Sequence, residues 1–89
     1  MGTISWEAGH HRLRLAGTWG EDERCVVEDA LAAVGDPGRV LILDLTAVES
    51  LAPPVAEVVA ACVATDGCRV SVLRRHGSDV DRMLSELGA

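Results

Sequence analysis

The 89-residue sequence contains no Phe and no Tyr, and its aromatic residues are two Trp. It also lacks Lys, so its eight basic residues are all Arg; they stand against fourteen acidic residues, which gives a net charge of −6. Nucleic acids and anionic membranes are bound through basic stripes or patches, whereas here only Arg74 and Arg75 are adjacent. The composition therefore argues against nucleic-acid partners and favours protein partners.

Long hydrophobic runs are also missing. No apolar stretch approaches the roughly 18 residues that cross a bilayer, and the opening MGTISWEAG lacks the charged start and apolar run of a signal peptide. We therefore expect no direct membrane insertion and a cytoplasmic location. A hydrophobic content of 48% in 89 residues supplies one core, which predicts a single domain over residues 1–89. We expect it to be a monomer or a weak dimer.

The residues that could carry catalysis or bind metal do not form a known motif. The sequence has neither GxSxG nor a phosphate-binding P-loop, and the acidic residues at 21–23, 79 and 81 fall at predicted helix starts, where the helix dipole explains them. The cysteines and histidines fit no zinc spacing. We therefore expect no cofactor, no metal site and no enzymatic activity. Cys25 and Cys62 are predicted to be core residues, and His10, His11 and His76 to be solvated at turns.

The periodicity of apolar residues predicts the elements. Alternation predicts strands at 3–7, 12–15 and 68–73, and the uniformly apolar 40–43 predicts a central strand. Helical spacing predicts a helix after Gly20, a second from Pro53 to Gly67 and a third that Ser78 caps. The order β-β-α-β-α-β-α predicts an α/β fold: one mixed four-stranded sheet with helices mainly on one face.

The same patterns predict which side chains face the helices. The predicted inward set is Ile4, Trp6, Leu13, Leu15, Val40, Ile42, Val70 and Val72. The opposite face would carry Thr3, Ser5, Arg12, Arg14, Arg39, Arg69 and Ser71 around an apolar patch of Leu41, Leu43 and Leu73. Such a patch is either a docking surface or a plain open sheet face.

The segment from Asp44 to Val55 resembles the core motif of the STAS domain family, the fold of anti-sigma factor antagonists and of sulfate-transporter tails. The similarity rests on Asp44-Leu45-Thr46 at a strand end, then Val48 and Leu51, then a helix start. The predicted element order agrees with that family over almost the whole chain, including Gly17 and Gly67. The resemblance implies a STAS-like fold and a role in the regulation of transcription through protein binding.

The sequence departs from the family at the phosphorylation site. In the family, Leu51 would be followed by Asp-Ser-Ser-Gly or a near variant whose Ser accepts phosphate, but here Ala52, Pro53, Pro54 and Val55 occupy those positions. Proline has neither a hydroxyl nor a backbone N–H to hold a phosphate. The usual acceptor position, Pro53, is thus lost, and Ser50 and Thr46 are the nearest hydroxyls that could substitute.

Two functions fit this degenerate motif. The first is a non-enzymatic module like an anti-sigma factor antagonist, which binds a kinase-type anti-sigma factor but lacks the phosphorylation switch. The second is a constitutive STAS subunit of an ABC-type lipid-transport ATPase complex. An alternative interpretation is that the prolines only start a helix and the partner binds elsewhere. For the first function the expected contacts are Glu49, Ser50, Leu51, Ala52, Pro53, Pro54 and Glu57.

Overall fold

The computed structural model describes residues 2–35, 38–64 and 69–88. Within these ranges the chain forms four strands and three α-helices in the order β-β-α-β-α-β-α. The strands are β1 (Gly2–Glu7), β2 (Arg12–Trp19), β3 (Leu41–Leu51) and β4 (Val70–Leu73). The helices are α1 (Arg24–Val34), α2 (Pro53–Ala64) and α3 (Asp79–Glu86). The predicted α/β class and element order are confirmed.

The four strands form one mixed sheet in the order β1-β2-β3-β4. β1 is antiparallel to β2, and β2, β3 and β4 are parallel to one another. Two parallel strands joined through a helix need a crossover, which α1 supplies between β2 and β3 and α2 between β3 and β4. This topology is compatible with a STAS-like fold, and it places the carboxyl ends of β3 and β4 at the same edge of the sheet.

The helices cover one face of the sheet and share one core with it. Each helix contributes residues that are at most 7% exposed: Val27 and Leu31 from α1, Val55, Ala56 and Val59 from α2, Val80 and Leu84 from α3. They meet Leu13, Leu15, Leu41, Leu43, Leu45, Val48 and Leu51 of the sheet. Because each buried aliphatic side chain contributes roughly 1.5–3 kcal/mol, this cluster is the main source of stability.

The facing of β3 was predicted wrongly. Leu41 and Leu43 are 3% and 0% exposed on the helix side, whereas Val40 is 49% exposed and Ile42 lies opposite Arg12 on the open face. The predicted apolar patch therefore does not exist, since of its three leucines only Leu73 is exposed. A run of four apolar residues has no alternation, so it cannot show whether the odd-numbered or the even-numbered side chains face the core.

The other strands face as predicted, with one qualification at the edge. Leu13 and Leu15 are buried, and Val70 and Val72 pack against the core. Ile4 and Trp6 lie opposite Leu15 and Leu13 and hence on the helix side, but they are 37% and 41% exposed because β1 is an edge strand.

β3 is longer than the sequence suggested. It continues past Leu43 to Leu51, and its pairing with β2 shifts register between Arg14 and Ala16 and again between Gly17 and Thr18. Gly17 has φ 87, a backbone conformation that favours glycine. The segment after Asp44, which the sequence placed at a strand end, is thus irregular strand, and it carries Glu49 and Ser50 to the sheet edge.

The cysteines and histidines agree only in part with their predicted burial. Cys62 packs against the core as predicted, whereas Cys25 is exposed on α1. His10 and His76 are exposed as predicted, but His11 is 7% exposed, has φ 49 and meets Trp6 edge-on at 5.1 Å between ring centroids. Cys68 and Gly67, to which the sequence assigned a strand start and a helix stop, lie outside the described residues.

Candidate functional site

The junction between β3 and α2 is held in place by the end of β2. The Ala52 amide donates to the Trp19 carbonyl at 2.8 Å, and the Trp19 indole Nε1–H donates to the Ala16 carbonyl at 3.2 Å. Trp19 is 2% exposed, so this anchor is part of the core. This junction, residues 51–54, is called the proline corner below, and its backbone is held in place without a partner.

The first turn of α2 offers no unpaired amide between residues 52 and 56. Pro53 and Pro54 have no N–H, and the amides of Val55 and Ala56 both donate to the Ala52 carbonyl at 3.0 Å. A phosphate at a helix N-terminus is normally held by such amides. This corner therefore has neither a hydroxyl to phosphorylate nor donors to hold the product.

Most of the residues assigned to partner binding are accessible. Glu49, Ser50, Pro53 and Glu57 are exposed, and Ala52 and Pro54 are half-buried. Leu51 differs, because its side chain is 4% exposed and belongs to the core. It supports the surface from beneath.

A groove of about 310 Å³ runs between this corner and α3. Ser50 and Leu51 line one side; the α3 residues Asp79, Val80, Arg82, Met83 and Glu86 line the other. An adjoining depression joins Glu49 to residues 75–79. The α3 side of the groove was not predicted from the sequence. It follows from the parallel pairing of β3 with β4, because the chain leaves both strands at the same edge of the sheet.

The start of α3 is itself braced by polar contacts. Ser78 caps the helix, since its Oγ accepts from the Asp81 amide at 3.1 Å. The Asp81 carboxylate accepts from the Gly77 amide at 2.9 Å and forms an ion pair with Arg74 at 2.8 Å. This network fixes the wall of the groove relative to the end of β4.

The two hydroxyls that were predicted as possible substitute phosphoacceptors lie in different surroundings. Thr46 is half-buried, and its hydroxyl donates to Asp44 Oδ1 at 2.6 Å, so a phosphate there would stand beside a carboxylate. Ser50 is exposed in β3 opposite Thr18, and its hydroxyl forms no hydrogen bond with the part of the chain that the structure describes. Of the two, Ser50 is the accessible hydroxyl.

Asp44 is a buried charge on the open face of the sheet. Burial raises its pKa, but the hydrogen bonds from the Thr46 hydroxyl and amide, together with the charges of Arg14 and Arg12, outweigh burial and hold the pKa below its usual value. Asp44 is therefore ionised at neutral pH. Its carboxylate fixes the backbone where β3 becomes irregular, so we assign it a structural role.

Within the described ranges, no three His, Cys, Asp or Glu side chains are grouped so that they could hold a metal ion. In the same ranges, no helix has the length and apolarity needed to span a membrane. Neither models of known protein families nor curated protein sequences match this chain.

Proposed function

We propose that this protein is a non-enzymatic, cytoplasmic protein-binding module, similar to an anti-sigma factor antagonist, in which the phosphorylation switch is missing. The observation that supports the proposal is the first turn of α2. Pro53 occupies the usual acceptor position and Pro54 follows it, and the amides of Val55 and Ala56 already donate to the Ala52 carbonyl. A rigid corner loses little conformational entropy on docking, so it favours binding, but it cannot be turned off by an added charge.

The charge of the surface indicates the chemistry of the partner. Glu49 and Glu57 are exposed on either side of the proline corner, and Asp79 and Glu86 stand on the α3 side of the groove. Arg82 offsets Asp79 through a contact of 2.8 Å. The remaining carboxylates favour a partner with a basic docking surface, and the kinase-type anti-sigma factor that the resemblance implies is the proposed partner.

The first experiment identifies that partner and measures its affinity for this protein. The tagged protein is purified from its native cells, the co-purifying protein is identified by mass spectrometry, and the purified pair is titrated by calorimetry. Glu57→Arg should weaken binding at least about tenfold, because it opposes the partner's basic surface at the rim of the contact. Asp29→Arg on exposed α1 makes the same charge change away from the groove and should leave the affinity unchanged.

The second experiment restores the switch. With ATP and the kinase-type partner, the native chain should gain no phosphoryl group by intact mass, whereas the double variant Ala52→Asp/Pro53→Ser, which returns a hydroxyl to the acceptor position, should gain one and then release the partner. Transfer to Ser50 or Thr46 of the native chain, followed by dissociation, would contradict the proposal. Equal binding by Glu57→Arg and the native chain would show that the surface is wrongly assigned.

The missing switch also suits a second function, a constitutive subunit of an ABC-type lipid-transport ATPase complex. Such a subunit should elute with a membrane-associated ATPase in a stable, stoichiometric complex. A regulatory antagonist should instead exchange between free and bound pools. Size-exclusion chromatography of the native complex distinguishes the two functions.

A further inference from the structure

β1 is an edge strand without the usual protection of an edge. Natural sheets protect their edges with lysine, proline, inward charges, bulges or very short strands. β1 is six residues long, carries no charge or proline from Gly2 to Trp6, and pairs with β2 in continuous register. The opposite edge strand, β4, is only four residues long.

The helix-side face of β1 is apolar and uncovered. Ile4 and Trp6 are 37% and 41% exposed, although their neighbours across the strand pair, Leu15 and Leu13, are buried. Trp is among the residues enriched at protein interfaces. The edge thus offers both unpaired backbone groups and apolar side chains on one face.

We propose that β1 pairs with β1 of a second copy of this chain, in antiparallel register about a two-fold axis through Ser5, to form a continuous eight-stranded sheet. In this register Ile4 of each copy lies opposite Trp6 of the other. Side chains directly opposite in an antiparallel pair share a face, so the four apolar side chains gather on the helix side. Thr3 then lies opposite Glu7 on the open face.

Two observations select a second copy and this register. Gly2 is already engaged, because its amide donates to the Glu23 carboxylate at 3.3 Å, so pairing is centred on the segment from Thr3 to Glu7. Glu7 forms an ion pair with Arg12 of its own hairpin, which leaves no unbalanced like charge at the seam. The segment is therefore complementary to itself, as a two-fold interface requires.

The first test is the mass of the protein in solution. Sedimentation equilibrium should give the mass of two 9.4 kDa chains at high concentration and of one chain after dilution. Ile4→Lys should shift the chain to monomer, because it places a charge on the seam. Leu73→Lys is the matched control, since Leu73 is 40% exposed on the opposite edge strand, and it should leave the dimer intact. Circular dichroism checks that both variants fold.

The second test is the register. In a background of Cys25→Ser, Cys62→Ala and Cys68→Ala, Ser5→Cys should form an intermolecular disulfide, because directly opposite Cα atoms lie about 5 Å apart. Thr3→Cys should not, since its symmetry mate would lie four residues along the strand, about 13 Å away. A monomer at all concentrations up to about 1 mM would overturn the proposal. So would a dimer that survives Ile4→Lys, or a Thr3→Cys variant that cross-links as fast as the Ser5→Cys variant.

Discussion

Asp44 shows how a single charged residue is accommodated in the sheet. It is 6% exposed, and it keeps its charge because Thr46 donates two hydrogen bonds to one carboxylate oxygen while Arg12 and Arg14 contribute positive charge nearby. A carboxylate whose pKa is lowered by folding stabilises the fold above its unfolded pKa. That contribution is lost as the pH falls through the folded pKa.

Asp44→Asn should therefore lower the free energy of unfolding by about 1–3 kcal/mol at pH 7, since the shape is kept but the charge is removed. The deficit should shrink as the pH falls below the ordinary pKa of an aspartate, and it should vanish once the pH has passed the lowered pKa of the native Asp44 carboxyl. Urea unfolding at several pH values measures both effects. Asp29→Asn, an exposed change on α1, is the control, and a deficit that persists unchanged at low pH would contradict this account.

Gly2 is required for a different reason, the space above Trp19. A Cβ on Gly2 would lie 2.2 Å from Trp19 Cε2. Gly2→Ala should lower the free energy of unfolding by about 1–3 kcal/mol, because either the indole or β1 must move. Gly9→Ala is the control, since its Cβ would meet no atom within 4 Å. Chemical denaturation should give a lower free energy of unfolding for Gly2→Ala than for Gly9→Ala. Equal values would show that β1 can shift to accommodate the added Cβ at no cost.

At the scale of the element, α3 depends on its start. It is eight residues long, too short to be stable without packing and capping, and it buries Val80 and Leu84, while Leu87 directly after it is 43% exposed. The capping contacts of Ser78 and Asp81 therefore hold the groove wall as well as the helix.

Ser78→Ala should cost about 1 kcal/mol of stability, because the Asp81 amide loses its acceptor. Hydrogen exchange should show faster opening of α3 than of α2 in this variant. Ser85→Ala, exposed on the same helix, is the control and should be neutral or slightly stabilising. If the two variants exchange alike, the cap does not stabilise α3.

At the scale of the whole molecule, net charge should separate the two proposed interactions. The chain carries a charge of −6, so a second copy is repelled at long range whereas a basic partner is attracted. Raising NaCl from about 0.05 to 0.5 M should strengthen the β1 dimer and weaken partner binding, because salt screens both the repulsion between two copies and the attraction to a basic partner. Sedimentation and calorimetry measure the two constants. A shift of both in the same direction would contradict one of the assignments.

The element order and the lack of hydroxyl and amide donors at residues 53 and 54 could be predicted from sequence because both depend on local rules. The spacing of apolar residues indicated the helices and three of the strands, and a uniformly apolar run indicated the central strand. Pro53-Pro54 excludes both a hydroxyl and amide donors wherever it lies. Of the candidate partner-binding surface, only the residues between Glu49 and Glu57 were predicted. The α3 side of the groove was missed, since Asp79 and Arg82 are distant in sequence from Ser50 and meet it only through the parallel crossover.

The sequence by itself determined that this chain is a mixed α/β sheet with helices on one face and a proline corner after its central strand. Tertiary structure alone decided the facing of β3, its extension to Leu51, the burial of His11 and the exposure of Cys25 and Trp6. The physical reason is that the spacing of apolar residues along the chain determines whether a segment forms a helix or a strand. Burial depends on which elements lie beside it, and an edge strand keeps its apolar face uncovered even when its pattern matches the core.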